Sequence, residues 1–253
     1  MNPKIGKILH PSGANPKAHK DWPGKATAQL NELNVWRTFA VIFDWDGVII
    51  DSSRQHERSW DKFAEIERRK LPPGFFKRSF GMKNQKIIPE LLGWTHDPQE
   101  IERLSLLKET FYREIINAEG IAPLPGVMSL LNQLRDARIP CAVGSSTPRA
   151  NIDCIIEKIG CENFFQVIVC GEDVKHGKPN PEVFLLGARK LGVPPECCVV
   201  FEDAHVGIEA ALAGGMKVIG VATTHPADTL RDSDRVVHRL DELAVGDLEK
   251  LFR

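Results

Sequence analysis

The sequence predicts an α/β fold: a parallel sheet with helices on both faces and an inserted all-α cap domain behind the first strand. Three observations carry this. Five apolar runs are each too short for a helix: FAVIF (39–43), IPCAVG (139–144), FQVIVC (165–170), CCVVF (197–201) and KVIGV (217–221). Segments of helical period separate the last four of them, as expected for strands buried on both faces beneath amphipathic helices. About 95 residues lie between Phe43 and Ile139, against the ~30 of a simple β-α-β unit.

Each element follows from its own residues. Residues 1–34 are rich in Pro, Gly, Lys and His and hold no sustained period, so they read as a peripheral extension. The stretch is poor in Ser and Arg, which weighs against a transit peptide. The core is expected over 35–53 and 123–253, and the cap over 54–122. In the cap, Trp60, Phe63 and Ala64 start one helix, and Ile101, Leu104, Lys108, Phe111 and Ile115 trace another. LPPG (71–74) and APLPG (122–126) punctuate it. Trp94 and Tyr112 are expected to pack within the cap. Val127, Leu130, Leu131 and Leu134 mark an apolar helix face ahead of CAVG, and Ile152, Ile155, Ile156 and Ile159 mark the next, stopped by Gly160. Phe184, Leu185, Ala188 and Leu191 precede Gly192, while Ile208, Ala211 and Leu212 precede Gly214 and Gly215. Charged residues beyond Asp228 read as solvated surface, followed by a short helix through Leu243, Leu248 and Leu251.

Composition narrows the functional classes. Of 253 residues, 42% are apolar and 26% charged, an ordinary globular balance. Basic and acidic residues number 33 and 34, leaving a net charge of −1. Neither a nucleic acid nor a membrane is expected to be gathered by bulk charge. No run reaches the ~18 apolar residues of a membrane span. Six cysteines (141, 154, 161, 170, 197 and 198) form no CxxC pair and sit mostly in apolar segments. They read as free thiols of a cytoplasmic, reducing environment.

Four strand ends carry chemistry-bearing residues. In FDWDGVIIDS (43–52), Asp44 and Asp46 leave a buried strand just before Gly47. Two carboxylates so close repel unless a divalent cation relieves them, and Mg²⁺ prefers carboxylate oxygens, waters and a phosphate. One carboxylate can attack phosphorus while the other handles the leaving-group proton. Trp45, between them, is expected to turn away from the catalytic face. CAVGSST (141–147) offers Ser145, Ser146 and Thr147 before a helix, a phosphate site or an ordinary helix cap. GKPNPE (177–182) sets Lys178 before a Pro-initiated helix, where an ammonium would neutralise phosphoryl charge. FEDAHVG (201–207) ends a strand with Glu202 and Asp203, metal ligands or helix caps. Singly, each motif also reads as a solvated loop or a cap. Four consecutive strand ends bearing an acid pair, hydroxyls, a lysine and a second acid pair do not.

In that order, FDWDGVIIDS, VGSST, GKPNPE and FEDA resemble the four motifs of the haloacid dehalogenase-like phosphotransferases, over about residues 39–225. The helical insertion resembles the cap of the subfamily that holds β-phosphoglucomutase and many small-molecule phosphatases. The resemblance implies a Rossmann-like core and Mg²⁺. Asp44 would be the nucleophile that forms an aspartyl-phosphate. Asp46 would be the general acid/base and lend the metal its backbone carbonyl. Ser145, with Ser146 beside it, and Lys178 would hold the phosphoryl group, and Asp203 with Glu202 would complete the metal site. The second Asp also separates the chain from true dehalogenases, which lack its counterpart.

The resemblance leaves two fates for the phosphoryl group, water or a sugar phosphate. Ser52, His56 and Lys108 match positions of the mutase-like members. Asn84 falls where they carry an Arg for a distal phosphate, although Lys83 and Lys86 adjoin it, and Pro148, followed by Arg149, falls where they carry a Lys. A phosphatase of a small phosphorylated metabolite is therefore expected, with a sugar phosphomutase as the alternative. His56, Lys83, Asn84 and Lys108 are the cap residues expected at the substrate, although His56 and Lys108 also read as packing and solvated residues. FGMKNQ (80–85) and SSTPR (145–149) are similar to phosphatases of a ribitylamino-uracil phosphate in riboflavin synthesis. A non-catalytic phosphate-binding protein would be expected to have lost a motif residue, and none is lost. The expected partner is a small phosphate ester, with the chain a monomer or weak homo-oligomer.

Overall fold

The five apolar runs form the strands of one sheet in the computed structural model, which describes residues 39–79 and 82–253; the extension expected over 1–34 lies outside them. The strands are Ala40–Phe43 (β1), Cys141–Gly144 (β2), Val167–Val169 (β3), Cys198–Glu202 (β4) and Lys217–Val221 (β5). A sixth, Arg235–Val237 (β6), was expected as solvated surface. It is short, and only Val237 is buried, so its sequence lacks the continuous apolar signature of the interior strands. All pairings are parallel, in the order β3-β2-β1-β4-β5-β6. β1 thus lies centrally between β2 and β4, where the chain order of strands reverses and the crevice at the carboxyl edge opens.

Side chains alternate across this sheet. Ala40, Ile42, Ala142, Cys198, Val200 and Val218 share one buried cluster with Val183, Phe184 and Ala188 of Glu182–Leu191 (α7) and Ile208, Ala210 and Ala211 of His205–Ala213 (α8). Phe43 and Phe201 stack at 4.9 Å between ring centroids, and Phe165 meets Phe43 edge-on. Trp45 is fully buried against Phe165, in accord with its expected turn away from the strand-end chemistry. Val127–Asp136 (α5) and Arg149–Ile159 (α6) bury the apolar stripes read from their sequence. The last helix is shorter than expected: Val245–Glu249 (α9) buries Leu248, while Leu243 precedes it.

Between β1 and α5 the described chain is helical: Ser53–Ile66 (α1), Phe75–Ser79 (α2), Asn84–Lys86 (α3) running into a wider turn at Ile87–Leu91, and Pro98–Glu119 (α4). Asp97 caps α4 by accepting the N–H of Gln99 at 3.2 Å, and Pro98 takes the first helical position, where no N–H is needed. Trp60, Phe63, Phe75, Ile87, Ile88, Leu104 and Phe111 form a second apolar cluster, separate from that of the sheet. Trp94 packs on Phe63, and Tyr112 stacks on His56 at 4.1 Å. The six thiols are free, four of them buried. No helix of the described residues is long and apolar enough to cross a membrane.

Candidate active site

The carboxyl ends of β1 and β4 bring Asp44, Glu202 and Asp203 together, with one carboxylate oxygen of each inside a common 4.8 Å span. All three are buried. The ammonium of Lys178, from the loop before α7, enters from the side. It donates to Asp44 Oδ1 at 2.6 Å and to Glu202 Oε1. Three carboxylates face one ammonium, so the cluster holds excess negative charge in a place with little water. Burial pushes the Asp44 carboxyl up to about 6, against the pull of Lys178. Burial, Glu202 and Asp44 push Asp203 up to about 8. Burial alone would lower Lys178, but Asp44 and Glu202 hold it above the ordinary lysine range.

Local chain geometry builds this cluster. Gly47 sits at φ +85°, and a Cβ there would lie 2.0 Å from Asp203 Oδ2, so only glycine lets the loop close over the acidic pair. Gly207, in the first turn of α8, plays the same part for Glu202, whose Oε1 would lie 1.8 Å from its Cβ. The other Glu202 oxygen accepts the N–H groups of Asp203 and Ala204 at 2.9 and 3.0 Å. Glu202 is therefore engaged on both oxygens, whereas Asp44 has Lys178 on Oδ1 and Asp203 has the Thr224 side chain. A divalent cation fits this donor set: hard carboxylate oxygens, an uncompensated charge and a glycine cradle.

Asp46 stands apart from the acidic triad. Its carboxylate accepts hydrogen bonds from Ser52 and Thr147. The hydroxyl of Ser145 accepts the N–H of Thr147 at 3.1 Å, and Ser145 donates its own N–H to Val169 at 3.0 Å. Ser145 is buried and Ser146 half-buried at the same strand end. The helix-cap alternative for these hydroxyls does not hold, since Pro148 occupies the cap position of α6 and the Glu172 carboxylate, not a hydroxyl, accepts the first helical N–H, that of Arg149, at 3.1 Å.

The cap residues divide. His56 Nδ1 lies 2.7 Å from Lys108 Nζ, and Lys108 donates to Glu109 Oε1 at 3.0 Å. Asn84 donates to the same oxygen at 2.7 Å. Lys108 is 2% exposed, a buried rather than a solvated lysine. Burial and the Lys108 charge lower His56 to about 4, so its ring is neutral. Burial lowers Lys108 as well, with Glu109 opposing. Burial would raise Glu109, but Lys108 and His56 outweigh it and bring the carboxyl down to about 2. Lys83 reaches the Gly171 carbonyl at 3.2 Å, near the Lys178 loop. Lys86 points elsewhere, exposed and 4.0 Å from Glu90.

Sequence reasoning missed several contributors. Thr224 bonds Asp203 and Thr223 donates to the Gly47 carbonyl, while Ser52 and Thr147, both named from the sequence, hold Asp46, a role not expected of them. The available signal was the pair of hydroxyls after β5, which repeats the pattern of SST after β2. Glu109 and Asn151 gave none.

A parallel sheet with an acidic pair behind its central strand, a lysine loop and a second acidic pair defines a hydrolase class. The chain belongs to the haloacid dehalogenase-like hydrolases, whose family model matches residues 40–215. Among its relatives, it is 40% identical over 214 residues to the chloroplastic 5-amino-6-(5-phospho-D-ribitylamino)uracil phosphatase of Arabidopsis thaliana, covering 83% of this chain and 57% of that one. It spans little more than half of that relative. It is 36% identical over 213 residues to Hexitol phosphatase A of Escherichia coli, covering 83% of this chain and 94% of the relative. The crystal structure of β-phosphoglucomutase from Clostridium difficile superposes with a TM-score of 0.73 at 26% identity, over 85% of this chain and 97% of that one. The enzyme class expected from the motifs, a phosphoric monoester hydrolase of this family, is the class these two curated relatives carry by name.

Proposed function

We propose that the chain is a Mg²⁺-dependent phosphatase of a small phosphorylated metabolite, acting through an aspartyl-phosphate on Asp44. The observation that carries the reading is the meeting of Asp44, Lys178 and Asp203 in one buried cluster, with the Asp46 carboxylate held separately by Ser52 and Thr147. Asp44 and Asp203 would hold the metal with the main-chain carbonyl of Asp46, and Glu202 would serve mainly to orient Lys178. Bound Mg²⁺ would supply charge neutralisation for the phosphoryl oxygens and the attacking carboxylate.

The residues then divide the work. An Asp44 oxygen attacks phosphorus, the ester P–O bond breaks, and Asp46 delivers its proton to the departing alkoxide. Water next attacks the phosphoryl group as Asp46 takes back a proton, and the Asp44–phosphorus bond breaks to release phosphate. Lys178 and the Ser145–Ser146 strand end hold the phosphoryl oxygens through both steps. His56, Lys83, Asn84 and Lys108 are assigned to the leaving-group side. The two named relatives act on esters of open polyol chains, a ribityl and a hexitol group, so a phosphorylated polyol is the substrate class we favour. A non-macromolecular partner, a monomeric or weakly associating chain and a cytoplasmic site complete the reading.

The test is phosphate release from a panel of polyol and sugar phosphates, with Mg²⁺ and with EDTA. Polyol phosphates are expected to head the ranking, and turnover to vanish with chelation. Conversion of β-glucose 1-phosphate to glucose 6-phosphate faster than phosphate release would make the chain a mutase instead. Comparable rates on every ester would remove the polyol assignment.

A further inference from the structure

Away from the strand-end cluster, a buried polar contact joins the helical insertion to the sheet-bearing part of the chain, and the catalytic scheme makes no use of it. Asn151, in the first turn of α6, is fully buried. Its amide is gripped at both ends by α4. Nδ2 donates to Glu109 Oε2 at 2.5 Å, and Oδ1 accepts from Arg113 at 2.9 Å. The donor and acceptor ends of an amide are not interchangeable, so this pair of bonds fixes the facing helix in both rotation and distance. The remaining oxygen of the same carboxylate, Glu109 Oε1, accepts from Lys108 and Asn84 at 3.0 and 2.7 Å. Lys108 in turn touches His56. One carboxylate therefore ties a core helix to three of the cap residues assigned to the leaving group.

We propose that Asn151 is a positioning residue that docks the helical insertion on the core and, through Glu109, sets Lys108, Asn84 and His56 beside Asp46. The docking is a property of the chain itself; only its kinetic consequence rests on the phosphatase reading. The bond network makes a distinctive demand. Asn151→Asp keeps an acceptor for Arg113 but sets two carboxylates against each other. Adding Glu109→Gln restores a complementary pair with its polarity reversed, because the introduced amide donates where the carboxylate accepted and keeps an oxygen for Lys108 and Asn84.

The experiment uses the full chain as wild type, Asn151→Ala, Asn151→Asp and the Asn151→Asp/Glu109→Gln double variant. Hydrogen exchange without substrate is expected to speed by about tenfold in α4 and in residues 82–92 of both single variants, with the strands unchanged. The double variant is expected to return toward wild type. In kinetics, kcat/KM for a polyol phosphate is expected to fall by roughly ten- to a hundredfold in the single variants. For p-nitrophenyl phosphate, whose leaving group departs without a proton and offers no hydroxyls, the fall is expected to stay within about threefold. Unchanged exchange in α4 overturns the proposal, as does a double variant no better than Asn151→Asp. Exchange that speeds uniformly through the strands overturns it too, since Asn151 would then be a general folding residue. A wild type that hydrolyses no ester refutes the phosphatase reading, and the exchange rates still decide the docking.

Discussion

The strand-end cluster and the cap cluster are both buried and charged, yet they are balanced in opposite ways. At the strand ends, Asp44, Glu202 and Asp203 share a single ammonium, and two of the three carboxyls are pushed well above their ordinary range. In the cap, Lys108 has its own carboxylate in Glu109, the neighbouring His56 is neutral, and Asn84 and Asn151 satisfy what remains. Buried charge is costly unless paired. The core cluster therefore holds carboxylates in excess of its one ammonium, whereas the charges of the cap cluster, Lys108 and Glu109, pair with each other. Under the proposed function the first would receive a cation and a phosphoryl group, and the second would hold its shape beside them.

The sharpest way to break this comparison is to remove the proposed nucleophile. Asp44→Asn keeps the size of the side chain and its place between β1 and the Lys178 loop, so the fold and its melting temperature are expected to survive. Steady-state phosphate release is expected to fall by roughly 10⁴-fold or more. Full activity in that variant would move the chemistry elsewhere.

A smaller effect probes the carboxylate excess directly. If the strand-end carboxylates await a cation, Mg²⁺ should stabilise the wild type by mass action, by about 2.7 kcal/mol at a hundredfold excess over its dissociation constant. Asp203→Asn removes one of the repelling carboxylates. Without metal it is expected to melt above the wild type, and on adding Mg²⁺ to gain little. Thermal melts of both proteins across a Mg²⁺ series would show this. A metal-free wild type already more stable than Asp203→Asn would mean that the cluster is balanced without a cation.

The two regions also differ in how far their sequences announced them. The strands β1, β2, β4 and β5 were legible because burial on both faces leaves continuous apolar runs, as in CAVG and KVIGV. The core site was legible because every strand end is a fixed address: Asp44, Ser145, Lys178 and Glu202–Asp203 each follow or adjoin a recognisable element. β6 escaped because a short strand with only Val237 buried looks like any charged surface stretch. The cap network escaped for a different reason. Glu109 and Asn151 are ordinary surface residue types, 42 positions apart, and only the packing of α4 on α6 makes them partners and joins them to Asn84, which the sequence did single out. Lys108 could be singled out, but its neutralising neighbour Glu109 could not, because adjacent charges on a helix do not normally face each other.

The smallest effect tests whether the cap cluster is self-sufficient, and it is read from pH. His56 is lowered to about 4 by burial, then by Lys108, with Asp46 and Glu109 opposing, against 6.5 for the free side chain. The unfolded chain thus binds a proton there before the folded chain does. Stability from neutral His56 is complete above pH 6.5 and is lost as pH falls toward 4. At about pH 5.5 the loss is about 1.4 kcal/mol. Glu109, held at about 2, adds its own loss only below its ordinary value of 4.5. Asp44 and Asp203 act in the opposite sense, because their raised carboxyls take up protons in the folded state as pH falls. The wild-type profile alone therefore mixes the two regions, and the difference from His56→Gln isolates the cap. That variant is expected to be the less stable protein at neutral pH, having lost a packed ring. Its deficit is expected to shrink by about 3–5 °C in melting temperature between about pH 7 and 5.5. A constant deficit over that range would mean that His56 is as solvated as a surface histidine, and the contrast between a self-satisfied cap and a ligand-dependent core would lose its basis.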